Sequence, residues 1–397
     1  MQRKLALLAL LLLVSNALTG CWSRKEITEI AIVLGAGVDL TTEGQIRLTL
    51  QIAKSACGAA GAQSGGGGTD QAASWVVSAE GRTIEEAEAH LSSRVPREIY
   101  WGHCIVLVLG RALAERGANM ATDFFARDRE PRETMWVLVA DGEAKQVLET
   151  SSSLERTSAQ AAGFLMRMGA VHSVQFHEFV EMLTSEGIQA VVPRVAVCPP
   201  GVTPGKPAGE GGEGQDHVKV SGSAAFRGDT MKGWLDEVET QGLLWLKGEM
   251  AGKLITMPGM SEPDRSMSFR VRNSHVKIVP SWNGAAPSFH VEVKLEADMI
   301  EKQCLEDVST PDKLRKLEEA IARHVEFSIS RVLHKAQREL GLDIFGFGSA
   351  FHRRFKREWR FIKERWDQEF ARCTVDISVE ARVREIGLIM RSPHVSK

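Results

Sequence analysis

The chain has 397 residues, 49 basic and 51 acidic side chains, a net charge of −2 and 43% hydrophobic content. Nothing in this balance predicts nucleic-acid binding, and the length provides for two or three domains at about 100 to 200 residues each. Six cysteines scattered along the chain have neither the density of a disulfide framework nor a zinc-ligand spacing, so Cys57, Cys104, Cys198, Cys304 and Cys373 read as free or buried thiols.

Arg3 and Lys4 precede an apolar run over 5–14, and a less apolar stretch ends in Leu18, Thr19, Gly20 and Cys21. A positive start, a short apolar run and small residues before a cleavage point make a secretory signal. The run is too short for a spanning helix, which takes about 20 residues. Leu18, Thr19 and Gly20 before Cys21 have the form of a lipobox. Residues 1–20 are then expected to be removed, and Cys21 to carry S-diacylglycerol and an N-acyl group as the anchor. Two acyl chains, at about 0.8 kcal/mol per buried methylene, hold a protein on a membrane where one does not. Removal takes away Arg3 and Lys4 and no acid, so the mature charge is −4.

An apolar segment over 27–34 leads into Gly35, Ala36, Gly37, Val38 and Asp39. The third glycine of a dinucleotide-binding turn is replaced by Leu40, and a turn over 41–44 precedes a second strand over 46–53, so the pattern is a hairpin. Residues 57–71, rich in Gly, Ala, Ser and Gln, read as a flexible loop. Thr83 with Glu86 forms a capping-box pattern, and Ile84, Ala87 and Leu91 stripe the helix that follows. Strands over 104–109, 135–140 and 191–197 alternate with helices over 111–116, 123–128 and 176–183. Residues 199–216, with Pro199, Pro200, Pro204, Pro207 and many glycines, are the clearest linker.

Beyond it, strands are expected over 218–226 and on either side of a turn at Asn283 and Gly284, where Phe289, Val291, Val293 and Leu295 alternate with polar residues. A short helix is expected over 236–246. The longest helix spans 311–340, with Thr310 as cap, Pro311 at its first position and Asp312 in its first turn. At about 1.5 Å per residue it runs roughly 45 Å and must lie across a sheet or meet a partner. Trp359, Ile362, Trp366 and Phe370 stripe a shorter helix, and a final strand spans 375–383. Helices and strands mix without a strict alternation. The class is α+β: several domains, mixed or antiparallel sheets packed with helices, and a long helix in the C-terminal module. The expected division is a signal over 1–20, an N-terminal α+β module over 21–198, the linker over 199–217 and a C-terminal α+β module over 218–392.

No catalytic constellation emerges. His172 and His177 have a spacing that puts them on different faces of a helix, without a third ligand; Gly222, Ser223 and Ala224 lack the nucleophile-elbow pattern. The carboxylate pairs Glu85 with Glu86 and Glu318 with Glu319 belong to solvated helix faces. No metal or cofactor is expected. Arg353, Arg354, Lys356, Arg357, Arg360, Lys363 and Arg365 form a basic cluster in an otherwise acidic chain. It reads either as a solvated helix face balanced by Glu358 and Glu364, or as a surface for anionic headgroups or a partner, at about 1 kcal/mol per basic residue near a membrane.

Several stretches occur together: Cys21-Trp22-Ser23-Arg24-Lys25-Glu26, Ala31-Ile32-Val33-Leu34-Gly35-Ala36-Gly37-Val38-Asp39, Thr83-Ile84-Glu85-Glu86-Ala87, Tyr100-Trp101-Gly102-His103, Asp123-Phe124-Phe125, Gly233-Trp234-Leu235-Asp236-Glu237, Gly242-Leu243-Leu244-Trp245 and Asp343-Ile344-Phe345-Gly346-Phe347-Gly348. In this order the mature chain resembles the Ger(x)C spore germination lipoproteins, the C subunits of nutrient germinant receptors, with Ser23 where Asp is more usual. The resemblance implies a non-enzymatic protein on the extracytoplasmic face of the spore inner membrane. It also implies assembly with two membrane-embedded subunits, of A and B type, and a role in nutrient-triggered germination. The long helix and the segment over 343–370 are the candidate contact elements. The competing reading is a solute-binding lipoprotein of a transporter, which expects two similar lobes around a cleft; a lipoprotein hydrolase lacks its catalytic set.

Overall fold

The computed structural model describes residues 3–4, 26–54, 73–152, 154–169, 171–199, 216–304 and 310–386. The lipobox, Cys21, the loop over 57–71 and most of the linker lie outside the described residues.

β1 (Ile30–Leu40), β2 (Ile46–Ala53) and β3 (Ser74–Gly81) pair antiparallel in sequence. The chain then turns to parallel additions on the other side of β1. β4 (Glu98–Tyr100) and β5 (Val106–Leu109) pair with β1, β6 (Trp136–Ala140) with β5, and β7 (Val191–Cys198) with β6. β8 (His217–Arg227) and β9 (Thr230–Leu235) complete a nine-stranded mixed sheet. β5 and β6 are fully buried runs of Val, Leu and Ala except for the half-buried Trp136, as parallel strands covered on both faces require.

One face is covered by α1 (Ile84–Ser92), α2 (Arg111–Arg116), α3 (Asn119–Arg127) and α6 (Phe176–Thr184), which bury Leu91, Leu113, Phe125 and Phe179. The other is covered by α4 (Ala144–Glu149) and α5 (Ser158–Arg167), through Leu148, Ala159 and Met166. The second sheet runs β10 (Leu254–Pro258), β11 (Ser266–Trp282), β12 (Pro287–Lys302) and β13 (Thr374–Glu385). Asn283 makes the expected turn between its two long strands, accepting from the N–H groups of Ala285 and Ala286, both at 2.9 Å, with Gly284 at φ +95°.

α7 (Glu237–Lys247) carries the chain from the first sheet to the second, and α8 (Pro311–His334), extended by a π-helical turn over 335–340, packs on α7 and β13. Ile321, Val325, Ile329 and Val332 bury its expected stripe, so the long helix lies across a sheet. α9 (Phe347–Arg354), α10 (Lys356–Ile362) and α11 (Trp366–Arg372) follow. The mixed α+β class is as expected.

The first sheet crosses the linker, and one expected helix is divided in two. The linker falls between β7 and β8, which pair antiparallel from Val191–Ala225 to Cys198–His217, so the first sheet runs through it. Ladder bonds and the burial of Ala224 and Phe226 in the first core hold β8 and β9 with the N-terminal sheet. The change of core comes at α7. The helix expected through Trp359, Ile362, Trp366 and Phe370 is two helices joined by a 3₁₀ turn over 363–365, and all four side chains still reach one core.

Candidate functional site

Among the described residues, the quoted motifs cap helices, let elements approach closely or pack aromatic rings. A Cβ on Gly35 would stand 2.7 Å from the Cβ of Ala159, and one on Gly37 3.1 Å from that of Ala144, so the two glycines seat α5 and α4 on the sheet. Asp39 then caps α4, accepting from the N–H groups of Ala144 at 2.7 Å and Lys145 at 3.0 Å. Trp101 packs edge-on against Phe124 and Phe125 and donates its indole N–H to Glu88 at 3.3 Å. Burial pushes the Glu88 carboxyl up to about 7. Asp236 and Glu239 form a reciprocal capping box on α7. A Cβ on Gly242 would meet the Ser328 carbonyl oxygen at 2.3 Å, which sets how closely α7 and α8 cross.

Asp343 is the most densely bonded of these groups. Its Oδ1 accepts from the N–H groups of Phe345, Gly346 and Phe347 at 3.0–3.2 Å; Oδ2 accepts from Gly348 N–H at 2.7 Å and the Trp366 indole at 3.0 Å. Burial pushes this carboxyl up to about 6, against the pull of those donors, so it is ionised at neutral pH. Its backbone oxygen takes the Gln189 N–H at 2.7 Å, and Ser349 N–H donates to the Gly187 oxygen at 3.0 Å. Gly187 has φ +79° and lies so close to Gly348 that a Cβ on either would stand 2.6 Å from the other's backbone. The entry to β7 is thereby bolted to the start of α9.

This junction aims a charged face outward. Trp359 is buried and donates to Glu186 at 3.2 Å, and Lys363 pairs with the same carboxylate at 3.1 Å. Arg365 pairs with Glu369 at 2.8 Å. Arg353, Arg354, Lys356, Arg357 and Arg360 are exposed, with no carboxylate partner among the described residues. Phe361 stands among them 79% exposed. The expected balancing acids pair with none of the five: Glu358 is half-buried and Glu364 exposed.

His172 and His177 are not brought together. His172 precedes α6 and is buried, its Nδ1 3.1 Å from Glu249 and its Nε2 3.4 Å from the Lys247 ammonium. Burial and the Lys247 charge hold it below its ordinary value, so it is neutral at pH 7, donating to Glu249 and accepting from Lys247. His177 lies on α6 against the Glu133 carbonyl. Among the described residues no group of three His, Cys, Asp or Glu side chains is placed to hold a metal, and no helix is long and apolar enough to cross a membrane. The nine-stranded and four-stranded sheets are not the similar lobes that a solute-binding lipoprotein would present.

The family model for the spore germination protein N-terminal domain matches residues 23–197, and that for the spore germination B3/GerAC-like C-terminal region matches 221–387. The chain belongs to the Ger(x)C family. Spore germination protein KC of Bacillus subtilis is 27% identical over 400 residues, covering 98% of this chain and 97% of that protein. Spore germination protein B3 of the same organism is 23% identical over 384 residues, covering 94% and 96%. The crystal structure of the GerBC protein shares the fold at TM-score 0.55 and 20% identity, covering 88% of this chain and 96% of that one. Ger(x)C membership thus extends across both cores, and the quoted motifs among the described residues have structural roles. Phe361 and Glu186 escaped the sequence reading. Phe361 lies off the 359–362–366–370 stripe, a signal of exposure present in the sequence, whereas the Glu186 contact spans 173 residues and leaves no local trace.

Proposed function

We propose that this protein is a lipid-anchored, non-catalytic subunit of a spore germinant receptor, required for nutrient-triggered germination. It sits on the extracytoplasmic face of the spore inner membrane and acts through contacts with two membrane-embedded subunits of A and B type. The observation that carries this reading is the family match to both halves, beginning two residues after the lipobox cysteine Cys21. Signal removal leaves Cys21 as the first residue, with S-diacylglycerol and an N-acyl chain as its membrane hold. The packing and capping roles of the motifs among the described residues are consistent with work done by contact.

The test is deletion of the gene, scored for spore response to single nutrients, with pull-down of the lipidated protein from spore membranes. Loss of response to at least one nutrient, and recovery of two integral-membrane subunits, are expected. Normal germination on every nutrient in a strain without paralogues would overturn the proposal.

A further inference from the structure

Two features at one edge of the first sheet belong together. β1, β5, β6 and β7 run parallel, and their register places Gly35, Val106 and Trp136 at one level, with Val191 opposite Trp136 by extension of the Val139–Arg194 pairing. Ile30 lies five residues before Gly35, and Gly187 four before Val191, so both leave the sheet on the same side. They are three strand spacings apart, about 14 Å. Cys21 lies nine residues upstream of Ile30. Glu186 and Gly187 hold Trp359, Lys363 and Gly348, and hence the face made by α9 and α10. Ile30, at the start of the first strand after Cys21, and the residues that hold the basic face therefore lie at the same end of the sheet.

The face suits a negatively charged, partly apolar surface. Five exposed cations lack carboxylate partners among the described residues, and Phe361 projects between them. The α10 side chains that point inward, Trp359 and Ile362, are committed to the core, so Phe361 is exposed by the geometry of the helix and not by loose packing. We infer that this face docks on anionic lipid headgroups, with Arg353, Arg354, Lys356, Arg357 and Arg360 at phosphate level and Phe361 in the interface. Together with the acyl chains on Cys21 it makes a two-point contact that fixes the orientation of the body on the membrane. The inference rests on the lipid anchor proposed above. Tethering removes most of the entropy of association, so clustered cations, each worth about fivefold in affinity near an anionic surface, suffice to seat the face.

The test uses the full lipidated protein reconstituted in vesicles of phosphatidylglycerol or of phosphatidylcholine, read by hydrogen–deuterium exchange across 352–365 and by mass at Cys21. Protection on phosphatidylglycerol and not on phosphatidylcholine is expected. It should fall at least tenfold in an Arg353→Glu, Arg357→Glu, Arg360→Glu variant and in Phe361→Asp; all four positions are exposed, and an unchanged circular dichroism spectrum confirms that the variants fold. Equal exchange on the two lipids, with Cys21 lipidated and the protein on the vesicles, overturns the docking and leaves the anchor standing. Protection that appears only with the integral subunits present assigns the face to a protein partner and also overturns it. An unmodified Cys21 defeats the anchor and with it the two-point contact.

Discussion

Asp39 and Asp343 are buried aspartates, one in each half, each capping a helix beside glycines that admit close backbone. Asp39 accepts from two N–H groups and serves one layer, seating α4 on its own sheet. Asp343 accepts from five donors, and the residues around it tie the second core to the entry of β7. The same residue type in the same local role is thus a matter of layer packing in one half and of inter-module assembly in the other. Changes at Asp343 should therefore reach the basic face on α9 and α10, and changes at Asp39 should stay within the N-terminal sheet.

Asp343→Ala is expected to have the largest effect. It strands several buried donors, each costing about 1–3 kcal/mol, and should destabilise by about 4 kcal/mol or more, against about 2 kcal/mol for Asp39→Ala. Urea unfolding of the two variants checks the difference, and equal losses would break the comparison.

The pH dependence of stability comes next. An Asp carboxyl titrates near 3.9 in the unfolded chain, and burial pushes that of Asp343 up to about 6 in the fold. The native state binds more protons between those values, so this contribution is full below about 4 and is lost as pH rises through about 6. Its amplitude is about 3 kcal/mol. Unfolding midpoints from pH 4 to 7, compared with Asp343→Asn, isolate it; a variant with the same slope as the parent would assign the slope elsewhere.

Gly348→Ala should cost about 2 kcal/mol, because its Cβ meets the Gly187 backbone at 2.6 Å and the Trp366 indole at 2.7 Å. Gly37→Ala faces side chains of Ala144 and Leu148 at 3.1 Å, which can shift, and should cost about 1 kcal/mol. Thr83→Ala removes the cap on α1, whose hydroxyl accepts from Glu86 N–H at 3.2 Å, and should cost about 1 kcal/mol. Thermal melts order the three.

Local signals were legible in the sequence. The Thr83 cap of α1, the Asn283-Gly284 turn and the apolar stripe of α8 were all readable, because caps, turns and periodicity are short-range; the Glu86 half of the 83–86 box goes instead to the Arg82 N–H. Thr157 with Gln160 carried the same kind of cap signal for α5, where the Thr157 hydroxyl accepts from Gln160 N–H at 3.2 Å, and it passed unread. Pairing across distance was not legible. β8 returns to β7 across a Gly/Pro-rich stretch, and β13 joins β12 in parallel after the helices from α8 to α11. Neither partner choice is written in the strand itself. Of the candidate face, the cations could be read from the charge run. Their division between two helices follows from Phe355, which leaves helical geometry at φ −121°, ψ 64°, and their outward aim from the Asp343 and Glu186 contacts.

The most direct measurement is nutrient germination of spores carrying Cys21→Ala, the Arg353→Glu, Arg357→Glu, Arg360→Glu variant, or both, with protein levels checked by immunoblot. A membrane-held receptor subunit predicts a weakened response for each change alone and its loss for the two together. A wild-type response from the combined variant, at wild-type protein level, would contradict it.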